Sequence, residues 1–157
     1  MTRATARPRR ILAFAVLSAA CLALGVRPQG VEVGRAGPHI WVSDGDLLSL
    51  HYTQSMYGVP VEERLRVERG RLMLFEVVST DAALEYLGIE TRGANNARRV
   101  LQEFSIPADS VGNHVLFVDG RRIPLSSVPS EAGSIRIRLV RQPFFIYLIH
   151  QLRELWR

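Results

Sequence analysis

Two glutamates and a phenol stand at positions where apolar side chains are expected. Tyr52 and Gln54 share the parity of Leu48 and Leu50. Glu63 shares that of Val59, Val61, Leu65 and Val67, and Glu76 that of Leu72, Leu74 and Val78. Period-two alternation over eight or more residues marks half-buried strands, so these polar groups fall on the buried side. If Arg69-Gly70 forms a two-residue turn, Val67 faces Leu72, Leu65 faces Leu74, and Glu63 lies directly opposite Glu76. Side chains opposed across a ladder sit about 5 Å apart at Cβ, so two carboxylates there repel, and burial adds to the cost. A proton, a cation or hydrogen-bond donors must offset that repulsion. A turn about Tyr57-Gly58 brings Leu48 to Val67, Leu50 to Leu65 and Tyr52 to Glu63. The phenol could then donate to the carboxylate, with Gln54 nearby and Ser55 at the rim.

Three chemistries fit such a face. The glutamates can be solvated at a sheet margin or paired with arginine, for which Arg92, Arg98, Arg99 and Arg141 are available. Carboxylates, a phenol and an amide can line a site for a polar solute or a cation such as Ca²⁺. The pair can act as acid and base in a carboxylate-dependent hydrolase, although directly opposed strand residues are closer than the spacing that admits a substrate bond. No other catalytic constellation competes. The four histidines (His39, His51, His114, His150) share no metal-ligand spacing, no Gly-x-Ser-x-Gly or phosphate loop is present, and no serine has an evident histidine base. No cofactor other than Ca²⁺ is implied.

The elements that must position these residues read as all-β. Beyond the three strands already named, residues 100–106, 114–118, 121–125 and 135–140 carry strand character. The expected architecture is a small β-sandwich or partly open barrel of about seven to eight antiparallel strands. Val118-Asp119-Gly120-Arg121 predicts a hairpin with a type I′ turn, and Pro124 predicts an edge strand. A short helix after strand four is expected over 81–87, capped by Thr80 and closed by Gly88. A C-terminal amphipathic helix is expected over 144–156, with Phe145, Leu148, Leu152 and Leu155 on one stripe. Its bland reading is a lid on the β-core; its functional one is docking to a membrane or partner through Arg153 and Arg157.

The first 25 residues set the compartment. Arg3, Arg7, Arg9 and Arg10 precede an apolar run from Ile11 that ends in Ala23-Leu24-Gly25, the pattern of an export signal. As a helix, residues 11–26 would be about 24 Å long, short of the ~30 Å hydrocarbon core. A cleaved signal is therefore favoured over an anchor in the cytoplasmic membrane, and the protein is expected to be exported. Cys21 follows small residues as a lipidation site would, but Leu17 is one place too early and the apolar run continues past Cys21. An ordinary place within the apolar run is the better reading for Cys21. The chain holds 20 basic residues, all arginine, against 15 acidic ones. Every acidic residue lies beyond Gly25 with all but four of the arginines, so the remainder is nearly neutral and nucleic-acid binding is disfavoured. The organisation expected is a signal or anchor over 1–25, a linker over 26–38, a β-domain over 39–142 and the terminal helix over 143–157.

Tyr52-Thr53-Gln54-Ser55-Met56, followed by Pro60-Val61-Glu62-Glu63, resembles the domain-of-unknown-function 1850 family of small exported proteins. Its members read Tyr-x-His-Ser-Val and then Pro-Val-x-Glu, and the resemblance covers roughly residues 40–141. Gln54 stands where the family has histidine, which removes any role that needs imidazole. The resemblance implies partnership with a tripartite ATP-independent periplasmic transporter of the TAXI type. The reading drawn from all of this is a non-enzymatic accessory or solute-binding partner of a membrane transporter. Tyr52, Gln54, Ser55, Glu63 and Glu76 form its binding face. A purely structural or interaction domain of the cell envelope is the alternative, and a carboxylate-dependent hydrolase the second.

Overall fold

In the computed structural model, residues 27–90 and 96–147 are described, together with positions 16, 19, 20, 25 and 149. The signal region with Cys21, and the terminal helix beyond its Phe144–Tyr147 start, lie largely outside these residues. Among the described residues no helix is long and apolar enough to cross a membrane. The chain divides into two units: Gln29–Val140, and the terminal segments 1–28 and 141–157. Within the terminal unit the Gln142 N–H donates to the Pro28 carbonyl at 3.0 Å.

The strands are β1 (Gln29–Val33), β2 (His39–Val42), β3 (Leu47–Gln54), β4 (Val59–Glu68), β5 (Arg71–Val78), β6 (Arg99–Leu101), β7 (Glu103–Pro107), β8 (Val115–Val118), β9 (Arg121–Pro124) and β10 (Ser134–Arg141). A helix α1 (Asp81–Tyr86) follows β5, and a 3₁₀ turn (Leu125–Ser127) follows β9. The fold is all-β, with two antiparallel sheets ordered β2-β1-β10-β7 and β6-β5-β4-β3-β8-β9. Neither sheet closes on itself. Apolar residues of both, among them Val31, Val33, Leu48, Leu65, Leu72, Leu116 and Ile137, belong to one continuous buried cluster.

Two features account for strands beyond the expected seven or eight. The stretch expected as a linker contains β1, whose Val31 and Val33 are fully buried. Three alternate residues of β1 with only two apolar anchors give a weak periodic signal, which is why sequence alone leaves it irregular. The stretch expected as one strand over 100–106 divides at Gln102: β6 pairs with β5 and β7 pairs with β10, in different sheets. The helix accordingly follows the fifth strand rather than the fourth. Thr80 occupies its N-cap with extended backbone but makes no side-chain capping bond.

The turns follow their residues. Asp119 and Gly120 both have positive φ (48° and 74°) in the β8–β9 hairpin, as a type I′ turn requires. β9, which ends in Pro124, is an edge strand. At the other edge β6 covers only Leu72–Leu74 of β5. The Asn96 carboxamide continues the pairing, accepting from the Val77 N–H and donating to the Val77 carbonyl at 2.9 Å each.

The decisive irregularity is in β5. Glu68↔Arg71, Val67↔Leu72 and Leu65↔Leu74 pair as the Arg69-Gly70 turn dictates, but the next pair is Arg64↔Glu76. Phe75 is the extra residue of a one-residue bulge, and the parity of β5 reverses there. Buried positions run Leu72, Leu74, then Val77, and Glu63 is opposed by Val77 rather than by Glu76. The expected Glu63–Glu76 opposition is therefore corrected: the bulge removes the second carboxylate from the interior face. Deletion of Phe75 is expected to leave an unbroken ladder in which Leu74 still faces Leu65, Glu76 still faces Arg64 and Val77 still faces Glu63. The Arg64–Glu76 coupling, read by a double-mutant cycle with Arg64→Ala and Glu76→Ala in urea unfolding, should then be the same within about 0.5 kcal/mol with and without Phe75. Loss of that coupling in the deletion background contradicts this role for the bulge.

Candidate functional site

Strand β3 presents opposite chemistry on its two faces. Leu48, Leu50 and Gln54 are buried, and Tyr52 between them is half-buried on the same side. The register places Leu48 against Leu65, Leu50 against Glu63 and Tyr52 against Val61. This is two residues from the expected register, because the β3–β4 turn is not centred on Tyr57-Gly58. A shift of two preserves every face, so Glu63 becomes the diagonal neighbour of Tyr52. Long side chains reach across such a diagonal. The Tyr52 hydroxyl donates to Glu63 Oε1 at 2.9 Å.

Burial first, then the Glu63 charge and the bond to it, hold the Tyr52 phenol well above its ordinary titration range. The ring stacks on His114, which precedes β8, with centroids 4.7 Å apart and planes 11° apart. His114 Nδ1 lies 3.2 Å from the Val111 carbonyl. A cleft of about 760 Å³ opens beside this pair, lined by Tyr52, Gln54, Ser55, Asp109, Asn113 and His114 among others. Asn113 Oδ1 accepts from the Thr53 N–H at 3.4 Å, and the Ser110 hydroxyl donates to Asp109 Oδ1 at 3.1 Å. Gln54 uses its side-chain oxygen on the Tyr57 N–H at 2.8 Å.

The structure thus brings Tyr52, Gln54 and Ser55 to one cleft, with Glu63 behind the Tyr52 hydroxyl. Glu76 lies on the opposite face. There Arg64 donates to Glu76 Oε2 at 2.7 Å and to both Glu62 oxygens at 2.8 and 3.2 Å. The arginine that neutralises Glu76 is its register partner Arg64 rather than Arg98, Arg99 or Arg141, and Arg92 lies outside the described residues. The bond from Arg64 holds the Glu62 carboxyl below the usual carboxylate range; partial burial opposes this, and the Arg64 and His51 charges add to it.

Sequence reasoning missed two arrangements. His114 is 62 positions from Tyr52 in the chain and only the β3–β8 pairing brings it close, so no local signal exists. Ser49 and His51 share the outer face of β3, with Ser49 Oγ 2.8 Å from His51 Nε2. Their i, i+2 spacing on a strand was the legible signal. Glu62 Oε1 approaches the same nitrogen at 3.8 Å. A serine–histidine–carboxylate relay needs the serine and the carboxylate on different ring nitrogens, so this trio is not one. His39 sits on β2 with its ring 4.5 Å from that of Trp41. Among the described residues no group of three His, Cys, Asp or Glu is placed to hold a metal.

No family model, curated protein or solved structure matches the chain.

The raised Tyr52 pKa fixes a direction. Its folded value exceeds the unfolded one, so the stabilisation is complete below about pH 10 and is lost as pH climbs through the folded value. Alkaline difference spectroscopy on the folded protein should show a component that ionises above the ordinary tyrosine range, and Tyr52→Phe should remove only that component. A variant curve that loses an early component instead contradicts the bond.

Proposed function

We propose that this chain is an exported, non-enzymatic β-domain that holds a small polar solute in the Tyr52 cleft and acts as the accessory partner of a membrane transporter. The two sheets are read as the layers of a β-sandwich, supported by the single buried cluster that draws on both. The observation that carries the solute-binding reading is the Tyr52 ring. It is fixed at its hydroxyl by Glu63 and at its face by His114, and it borders an open cleft. Positioned aromatic and polar groups around a preformed concavity are the common form of a small-molecule site. Ser55, Ser110 and Asn113 offer hydroxyl and amide groups, and Asp109 a single carboxylate. A neutral or cationic polyol or amino compound suits that lining better than an anion. Ca²⁺ is a further candidate through Asp109. Glu63 positions Tyr52, and Glu76 has no part in this site.

Export rests on the charged and apolar N-terminal pattern. The transporter, a TAXI-type tripartite system, rests on the resemblance around Tyr52 and Glu63. The hydrolase alternative loses its main support, since Glu63 and Glu76 lie on opposite faces.

The test is thermal unfolding of the full chain against amino acids, polyols, organic acids and Ca²⁺. A true ligand at one hundred times its Kd adds about 2.7 kcal/mol, a shift of several degrees for a domain of this size. Tyr52→Phe and Ser55→Ala should each weaken that ligand about tenfold. No shift with any solute overturns the solute-binding reading in favour of a purely structural or interaction domain. Turnover abolished by Glu63→Gln would assign a hydrolase.

A further inference from the structure

We infer that the β3–β4 turn and the adjoining end of α1 form a docking surface for a basic, apolar segment of a partner protein. Gln54 is the one buried polar side chain among the described residues. Its side-chain oxygen accepts from the Tyr57 N–H, and its backbone oxygen accepts from the Gly58 N–H, both at 2.8 Å. Gly58 adopts φ +63°, which an L side chain rarely does. The turn is therefore tied at two points, and its tip carries Met56 at 62% exposure and Tyr57 at 46%. Tyr86 on α1, 54% exposed, meets the Tyr57 ring edge-on at 5.9 Å.

Folding alone gives no reason for this arrangement. Ordering large side chains costs entropy, and leaving them in water forgoes the gain from burial. A turn of small polar residues closes a hairpin as well. Preorganised methionine and tyrosine are what interface cores are made of, and rigidity before binding lowers the cost of association. Charge selects the occupant. Residues 78–90 contain Asp81, Glu85 and Glu90 and no basic residue, while the chain beyond Gly25 is nearly neutral. That acidic margin repels an anionic lipid surface and attracts a basic segment. The surface goes beyond the solute-binding reading, and Tyr52→Phe should leave docking intact, so the two can fail separately.

The full chain in zwitterionic nanodiscs, with ¹³C-methyl methionine, provides the test, since only Met1, Met56 and Met73 report. Three twelve-residue peptides are titrated: arginine with leucine and phenylalanine, arginine with serine, and glutamate with leucine and phenylalanine. The first should shift the Met56 methyl and bind at least tenfold more tightly than the other two. Asp81→Lys/Glu85→Lys should weaken it at least tenfold, and Met56→Ser/Tyr57→Ser/Tyr86→Ser should abolish it with the Met73 methyl unmoved. If the triple variant disturbs Met73, Tyr57→Ser alone should still weaken binding at least tenfold. No binding of the first peptide, equal binding of the acidic one, or binding unchanged in the variants overturns the inference. So do Met56 shifts produced by anionic lipid alone or by self-association, which assign the surface to a bilayer or to a second copy.

Discussion

A strand with one face in the core can carry an ionisable group inward only where a partner reaches it, and two like charges cannot share that face side by side. Strands β4 and β5 bring two glutamates within one register step of this conflict. The bulge at Phe75 resolves it. Before the bulge the strands pair as their turn dictates; after it, every β5 side chain is on the other side. Glu76 moves outward to Arg64, and Glu63 remains inward with the Tyr52 hydroxyl as its donor. Leaving Phe75 out of the ladder thus separates an ion-paired outer surface from a hydrogen-bonded inner site.

The rest of the functional end of the domain follows from where that leaves Tyr52. Its hydroxyl is anchored on β4 and its ring on His114, so the ring joins three neighbouring strands at the margin of the core. Two residues further along the same face, Gln54 turns its amide to the backbone of the next turn. The polar residues of β3 are spent on fixing the cleft wall and the turn, rather than on filling the interior. Asn96 serves the adjacent edge in the same way, supplying to Val77 the pairing that the short β6 does not reach.

Much of this was legible in the sequence because period-two alternation over β3, β4 and β5 is long and clean. The all-β class and the inward parity of Tyr52 and Glu63 follow from it, while the Arg69-Gly70 and Asp119-Gly120 dipeptides signal their own turns. The Tyr52–Glu63 contact survived a register error of two residues because such an error keeps every side chain on its face. The Glu63–Glu76 opposition did not survive, because a single bulged residue reverses parity and no pattern in Leu72–Leu74 or Val77–Val78 announces it. β1 was hidden by its shortness, and the split at Gln102 by uninterrupted strand-like composition. The outer network was half visible: Glu62, Arg64 and His51 alternate openly, but only register brings Glu76 to Arg64. His114 was invisible, as any contact made solely by tertiary pairing must be.

The central claim is that Tyr52 and Glu63 act as one bonded unit at the cleft. A double-mutant cycle with Tyr52→Phe and Glu63→Gln, read by urea unfolding at neutral pH, measures that unit directly. A hydrogen bond to a charged acceptor in this setting predicts a coupling energy of about 1.5–3 kcal/mol. A coupling indistinguishable from zero, with the two single effects simply adding, contradicts it.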